Sequence, residues 1–137
     1  MRKARIVTSS LVTAAALLVT LVPAAPAAAR PADCSIVARI SPDPGSMYAR
    51  AEVNCPKKEH FSVTIRIRRD DWHGNTVVAT RYKGTHHQGF FSLSTSEPCS
   101  DVEPGKKYFA EAELNDTRFG PPIEIRTVKS RTVSGHC

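Results

Sequence analysis

Five histidines, four cysteines, one tryptophan and a run of arginines are the side chains of this 137-residue chain best suited to chemistry. The histidines are His60, His73, His86, His87 and His136, and they are the only groups that titrate near neutral pH without a perturbed environment. Nucleophilic catalysis needs such a base held beside a serine, cysteine or threonine. Neither a G-x-S-x-G turn nor an H-E-x-x-H helix occurs, and the histidine spacing is not that of a metal-ligand set. The sequence therefore predicts no enzyme, no cofactor and no metal. His86-His87 stands between Lys83 and Gly89 in what reads as a loop, from which it could reach His73 or Asp71. Solvated loop histidines are the plainer reading.

Trp72 is the most informative single residue. It lies in Asp70-Asp71-Trp72-His73-Gly74-Asn75, a composition that turns a chain. A tryptophan in a turn beside charged neighbours suits the anchoring of a protein or glycan. The competing reading has the ring folded over its own hairpin. Trp72, His73 and Asp71, with His86 and His87, make up the candidate binding set, and Phe109 is a second aromatic that strand parity turns outward. Arg66, Arg68 and Arg69 form a basic stripe. A site for nucleic acid would interleave aromatic residues on the same face, and none are there. Glu111 and Glu113 on a neighbouring strand account for the stripe as cross-strand ion pairs. No nucleic-acid partner is expected; the expected partner is an unknown extracellular protein or glycan.

The compartment follows from the amino terminus. Residues 1–29 have the three-part order of a secretory signal peptide. Arg2, Lys3 and Arg5 come first, residues 6–22 carry no charge, Pro23 and Pro26 interrupt, and Ala27-Ala28-Ala29 supplies a cleavage site. The uncharged run sits at the lower limit of a membrane span, roughly 17–25 residues, and the alanine site favours removal. No later segment approaches a transmembrane length. Of 19 Lys+Arg and 13 Asp+Glu, three basic residues fall in the signal, which leaves residues 30–137 with a net charge of only +3. That length suits one domain with one core.

To position the candidate residues, the mature chain offers short alternating runs separated by Pro, Gly, Asn and Asp. Runs at 34–40, 47–55, 61–69, 76–82, 90–95, 107–114 and 123–133 predict seven antiparallel strands, hence an all-β sandwich. The clearest is 61–69, where Phe61, Val63, Ile65 and Ile67 alternate with polar residues. A parity slip near Thr127–Val128 predicts a bulge or break. In an oxidising compartment the four cysteines read as disulfides. A hairpin about Pro44-Gly45 makes facing numbers sum to about 89, which sets Cys34 opposite Cys55. A pairing of the last two strands about 115–122 gives a sum near 237, close to Cys99 with Cys137.

The segment Val102-Glu103-Pro104-Gly105-Lys106-Lys107-Tyr108 resembles the E–F corner of immunoglobulin and fibronectin III-like domains. The resemblance implies a seven-stranded sandwich of that type, with Pro104 and Tyr108 structural and the Tyr108 phenol bonded to backbone just upstream. The chain from residue 30 onward also resembles small uncharacterised secreted β-sandwich proteins of high-GC Gram-positive bacteria. It shares an alanine-rich signal, a cysteine near the mature start, a V-x-C end to the second strand and a closing cysteine. That likeness implies an extracellular location and a fold, and no particular activity. Chromophore-carrying sandwiches similar to neocarzinostatin place their cysteines in short local loops instead, and the reactive loop of exported subtilisin inhibitors does not align. A small exported enzyme or inhibitor, and a passive envelope component, are the rival functions.

The signal reading has a direct check. Intact-mass analysis of the exported protein should give a chain that begins within a few residues of Arg30; recovery of all 137 residues would refute cleavage.

Overall fold

The computed structural model describes residues 33–118 and 120–137, so the expected signal segment, 1–29, lies outside the described residues. The fold is all-β and antiparallel, with two disulfides. Among the described residues there are six strands: β1 (Ser35–Asp43), β2 (Ser46–Asp71), β3 (Gly74–Pro98), β4 (Lys107–Asp116), β5 (Ile123–Lys129) and β6 (Val133–Ser134). A 3-10 turn, Cys99–Asp101, leads from β3 towards β4. None of the described helices is long and apolar enough to cross a membrane.

The expected count of seven strands is corrected by one long hairpin. The runs at 47–55 and 61–69 are two halves of β2, and those at 76–82 and 90–95 are two halves of β3. Residues 83–89, expected to form a loop, are strand and pair with β2. The two halves are joined through a bulge. Cys55 faces Gly89 and Glu59 faces His87, so Pro56, Lys57 and Lys58 oppose Gln88 alone. Extra residues on one strand bend it and increase its twist. Gln88 Nε2 donates to the Pro56 carbonyl at 2.9 Å and secures the bend.

Below the bend Ser46–Asn54 lies between β1 and the end of β3; above it Phe61–Asp70 lies between the start of β3 and β4. The sheet curls, and its two halves share one core. Met47, Ala49, Ala51 and Val53 from one half of β2 join Phe61, Val63, Ile65 and Ile67 from the other, together with Ala110, Ala112 and Leu114 of β4. Phe61 meets Phe91 edge-on, with ring centroids 5.8 Å apart. The last strand breaks as its parity suggested, although elsewhere in detail. Ile125 is skipped in the β4–β5 register, and β5 ends at Lys129 before β6 resumes at Val133.

Cys34 bonds Cys55 and Cys99 bonds Cys137. The β1–β2 register places Ser35 opposite Asn54 and so brings the first pair together as counted. The second pair forms without the register assumed for it. Facing numbers of β4 with β5 and β6 sum to 239–241 rather than 237, and Cys99 sits in the 3-10 turn outside the ladder. Each closed loop contributes about 3–4 kcal/mol through chain entropy.

The segment between that turn and β4 is locked by its own backbone. Lys106 N donates to the Glu103 carbonyl at 3.3 Å across Pro104-Gly105, with Gly105 at φ 81°. Proline followed by a positive-φ glycine is the pattern of a type II turn. Glu103 N donates to the Tyr108 hydroxyl at 2.9 Å, and the Tyr108 ring is fully buried. Gly135 packs against this corner and donates from its N–H to the Lys106 carbonyl at 2.6 Å. A side chain at Gly135 would strike the Glu103 carbonyl and the Tyr108 ring.

Two substitutions separate these contributions. Tyr108→Phe orphans the Glu103 amide and should cost about 1 kcal/mol. Gly135→Ala forces backbone apart and should cost about 1–3 kcal/mol. Thermal melting at neutral pH checks both, with the larger drop expected for Gly135→Ala.

Candidate functional site

The candidate residues fall into two separate places. β2 ends at Asp71 and β3 begins at the facing Gly74, so Trp72 and His73 are the two residues at the tip of the long hairpin. Trp72 is 87% exposed and its ring rests only beside that of His73. It does not fold over the hairpin. The tip is braced from below. The Asp71 carboxylate accepts from Thr76 Oγ1 at 2.7 Å, from Arg69 Nε at 3.0 Å and from Lys106 Nζ at 3.4 Å. These donors, Thr76 foremost, hold the Asp71 carboxyl below its ordinary range. Arg69 also pairs with Glu103, which ties the tip to the Tyr108 corner. Asp71 is therefore a brace, while Trp72, His73, Asn75 and Lys106 border a shallow concavity of about 360 Å³.

His86 and His87 stand elsewhere. They belong to β3, where His86 faces His60 and His87 faces Glu59. Eleven residue steps of extended β2 separate His60 from Asp71, roughly 35 Å of strand. The expectation that His86-His87 could join His73 or Asp71 is corrected by the strand that replaces the loop. His60, missed in sequence as a partner of His86, stacks on it with centroids 3.5 Å apart and planes 14° from parallel. Counting outward from the hairpin tip would have found it, because every facing pair along β2 and β3 sums to nearly the same number. His87 is engaged by the Phe90 carbonyl, 2.8 Å from Nε2.

Carboxylates near the histidine pair are committed to other partners. Arg118 donates to Asp116 from NH2 at 2.7 Å and from Nε at 3.1 Å, and its NH1 lies 4.0 Å from Glu59. This pairing holds the Asp116 carboxyl low. Among the described residues no three or more His, Cys, Asp or Glu side chains gather in a way that could hold a metal ion.

The basic stripe is ion-paired. Arg66 NH1 lies 2.7 Å from Glu113 and 3.5 Å from Glu111, and Arg68 NH2 lies 2.8 Å from Glu111. Glu113 is held below the ordinary carboxyl range by Asn115, which donates at 2.8 Å, and by Arg66. Arg69 serves the hairpin tip. Phe109 points outward by parity but is buried under Lys129, whose ammonium sits 5.3 Å from the ring centre. It offers no exposed aromatic surface, because the cation of the adjacent β5 covers it.

Comparison with protein-family models found none that matches, and a search of curated proteins found no matching relative.

The histidine stack makes a pH prediction. The His86 side chain is exposed overall, but loss of water from part of its surface lowers its pKa, and His60 and Lys58 lower it further by repulsion. A base whose folded pKa lies below its unfolded value destabilises the fold when protonated. Its contribution is thus fully retained above about pH 6.5 and lost as pH falls through the lower folded value. The melting temperature should decline between pH 7.5 and 5.5, and His86→Gln should flatten that decline. Parallel profiles for the two proteins would refute the assignment.

Proposed function

We propose that this chain is an exported immunoglobulin/fibronectin III-like sandwich that works as a binding module, with Trp72 as its anchor. The observation that carries the reading is a largely solvated tryptophan at the tip of a braced hairpin. Exposing an indole costs free energy that burial would recover, and the brace restrains the loop entropy that binding would otherwise have to remove. The partner is an extracellular protein or glycan that offers an apolar recess for the ring. His73, Asn75 and Lys106 supply polar groups at its rim.

Three features support the remainder of the proposal. Two disulfides and no free cysteine among the described residues suit an oxidising compartment, and the signal-like start supplies a route to it. The type II turn and the Glu103–Tyr108 bond are contacts that such a corner would use, and they support the immunoglobulin-like reading. The curled sheet bends at the β2 bulge and both halves contribute to one core, which supports a sandwich reading.

The test is Trp72→Ala, measured for binding and stability together. A partner is first isolated from culture supernatant or from an array of extracellular glycans. Truncating an anchoring aromatic costs at least about 2 kcal/mol, or roughly thirtyfold in affinity. Because the ring touches little of its own chain, the melting temperature should stay within a degree or two. Undiminished binding by a variant that melts clearly lower would make Trp72 scaffold and defeat the proposal.

A further inference from the structure

A second surface, independent of Trp72, lies along the outer edge of β1. β1 is the last strand on its side of the sheet, and among the described residues no strand pairs with it there. Pro42 has no N–H to give β2, so it occupies a position whose backbone turns away from that neighbour. Alternate residues share an orientation in an antiparallel ladder. The amides and carbonyls of Ile40, Ala38 and Ile36 therefore face the open side. A cleft of about 590 Å³ runs along this edge. Ala38 and Ile40, whose side chains belong to the core, border it along the strand edge, and Arg131, in the link between β5 and β6, contributes to its lining.

The charges around the cleft are unbalanced. Arg39 and Arg50 are directly opposed across β1 and β2, an arrangement that destabilises a strand pair unless an anion intervenes. Glu52 alone reaches both, at 3.0 Å from Arg39 and 3.9 Å from Arg50. Arg50 also donates to the Tyr48 hydroxyl at 3.4 Å. Among the described residues Arg131 has no ion-pair partner. Asp43, at the end nearest the β1–β2 turn, is the other carboxylate of the lining.

The equally open edge of β3 is guarded. Arg81 and Lys83 share the inward face with Ile65 and Val63, which they oppose. Inward-pointing charge is a known device against strand addition. β1 presents alanine and isoleucine at the corresponding positions and keeps its arginine on the outer face.

From the unpaired backbone edge and the arginines beside it we infer that the β1 edge accepts an extended acidic segment of a partner protein as an added strand. Its backbone pairs with Ile36, Ala38 and Ile40. Alternate residues then fall on opposite faces. Small apolar side chains meet Ala38 and Ile40, and acidic ones meet Arg39 and Arg131. Asp43 disfavours an acid at the turn end.

The probe is a blocked seven-residue peptide of alternating glutamate and valine, titrated into the oxidised protein and followed by amide NMR and hydrogen exchange. Binding should slow exchange at Ile36, Ala38 and Ile40 and should weaken as salt rises. Arg131→Glu, whose site lies outside every strand, should weaken it by about tenfold or more. A central proline in the peptide, or lysine in place of glutamate, should abolish it. No binding at millimolar peptide, equal binding of the lysine peptide, or unprotected edge amides would each overturn the inference. So would protection of that edge by self-association without peptide, or by a sulfated polysaccharide that the peptide cannot displace.

Discussion

The structure depends on one bend. Pro56, Lys57 and Lys58 oppose the single residue Gln88, and this mismatch lets one hairpin serve both halves of the sheet. Without it the inward residues of the two halves of β2 would lie along a single extended face. With it, Met47–Val53 and Phe61–Ile67 face a shared interior, and β1 and β4 each find a different half of β2 to pair with. The Cys34–Cys55 bond lies at the start of the bend, where β1 also begins, and fixes the point from which both halves diverge.

Charge on the faces and edges follows from the same geometry. Where β2 has neighbours on both sides, its outward arginines meet β4 carboxylates and become part of the ladder. At the β3 edge, cations occupy inward positions beside the core; Lys83 lies 5.8 Å from the centre of the Phe91 ring, and Arg81 reaches the Ser94 carbonyl at 3.4 Å. Such residues satisfy themselves at the rim of the core while making the edge unwelcoming to another strand.

Much of this was legible in sequence where a strand has one buried face. The alternation in 61–69 and in 107–114 gave the inward residues of β2 and β4 because the pleat enforces a period of two. The hairpin count about Pro44-Gly45 gave a disulfide. Legibility failed where position in the sheet, rather than parity, sets polarity. Residues 83–89 contain lysine, two glycines and two histidines, which on average mark a loop. As an edge strand with only one paired side, β3 can carry them. Phe109 misled for the complementary reason: an outward residue on a central strand is covered by the neighbours on either side. At the site, the place of Trp72 in a turn was readable, but two readings of its ring stayed open until the structure showed it exposed, and the His60–His86 stack required the true register of the long hairpin.

The two covalent links differ in their access to solvent. Cys34 and Cys55 are both buried in the core, while Cys99 is half-buried and Cys137 exposed. Thiol–disulfide exchange requires a thiolate to approach one sulfur of the bond it attacks. A mild reductant therefore meets the C-terminal link first, and its opening releases only the residues beyond β6 from the 3-10 turn. The link at the bend stays shielded until the core itself opens. The molecule thus carries one bond that reports on its redox surroundings and one that reports on its folding.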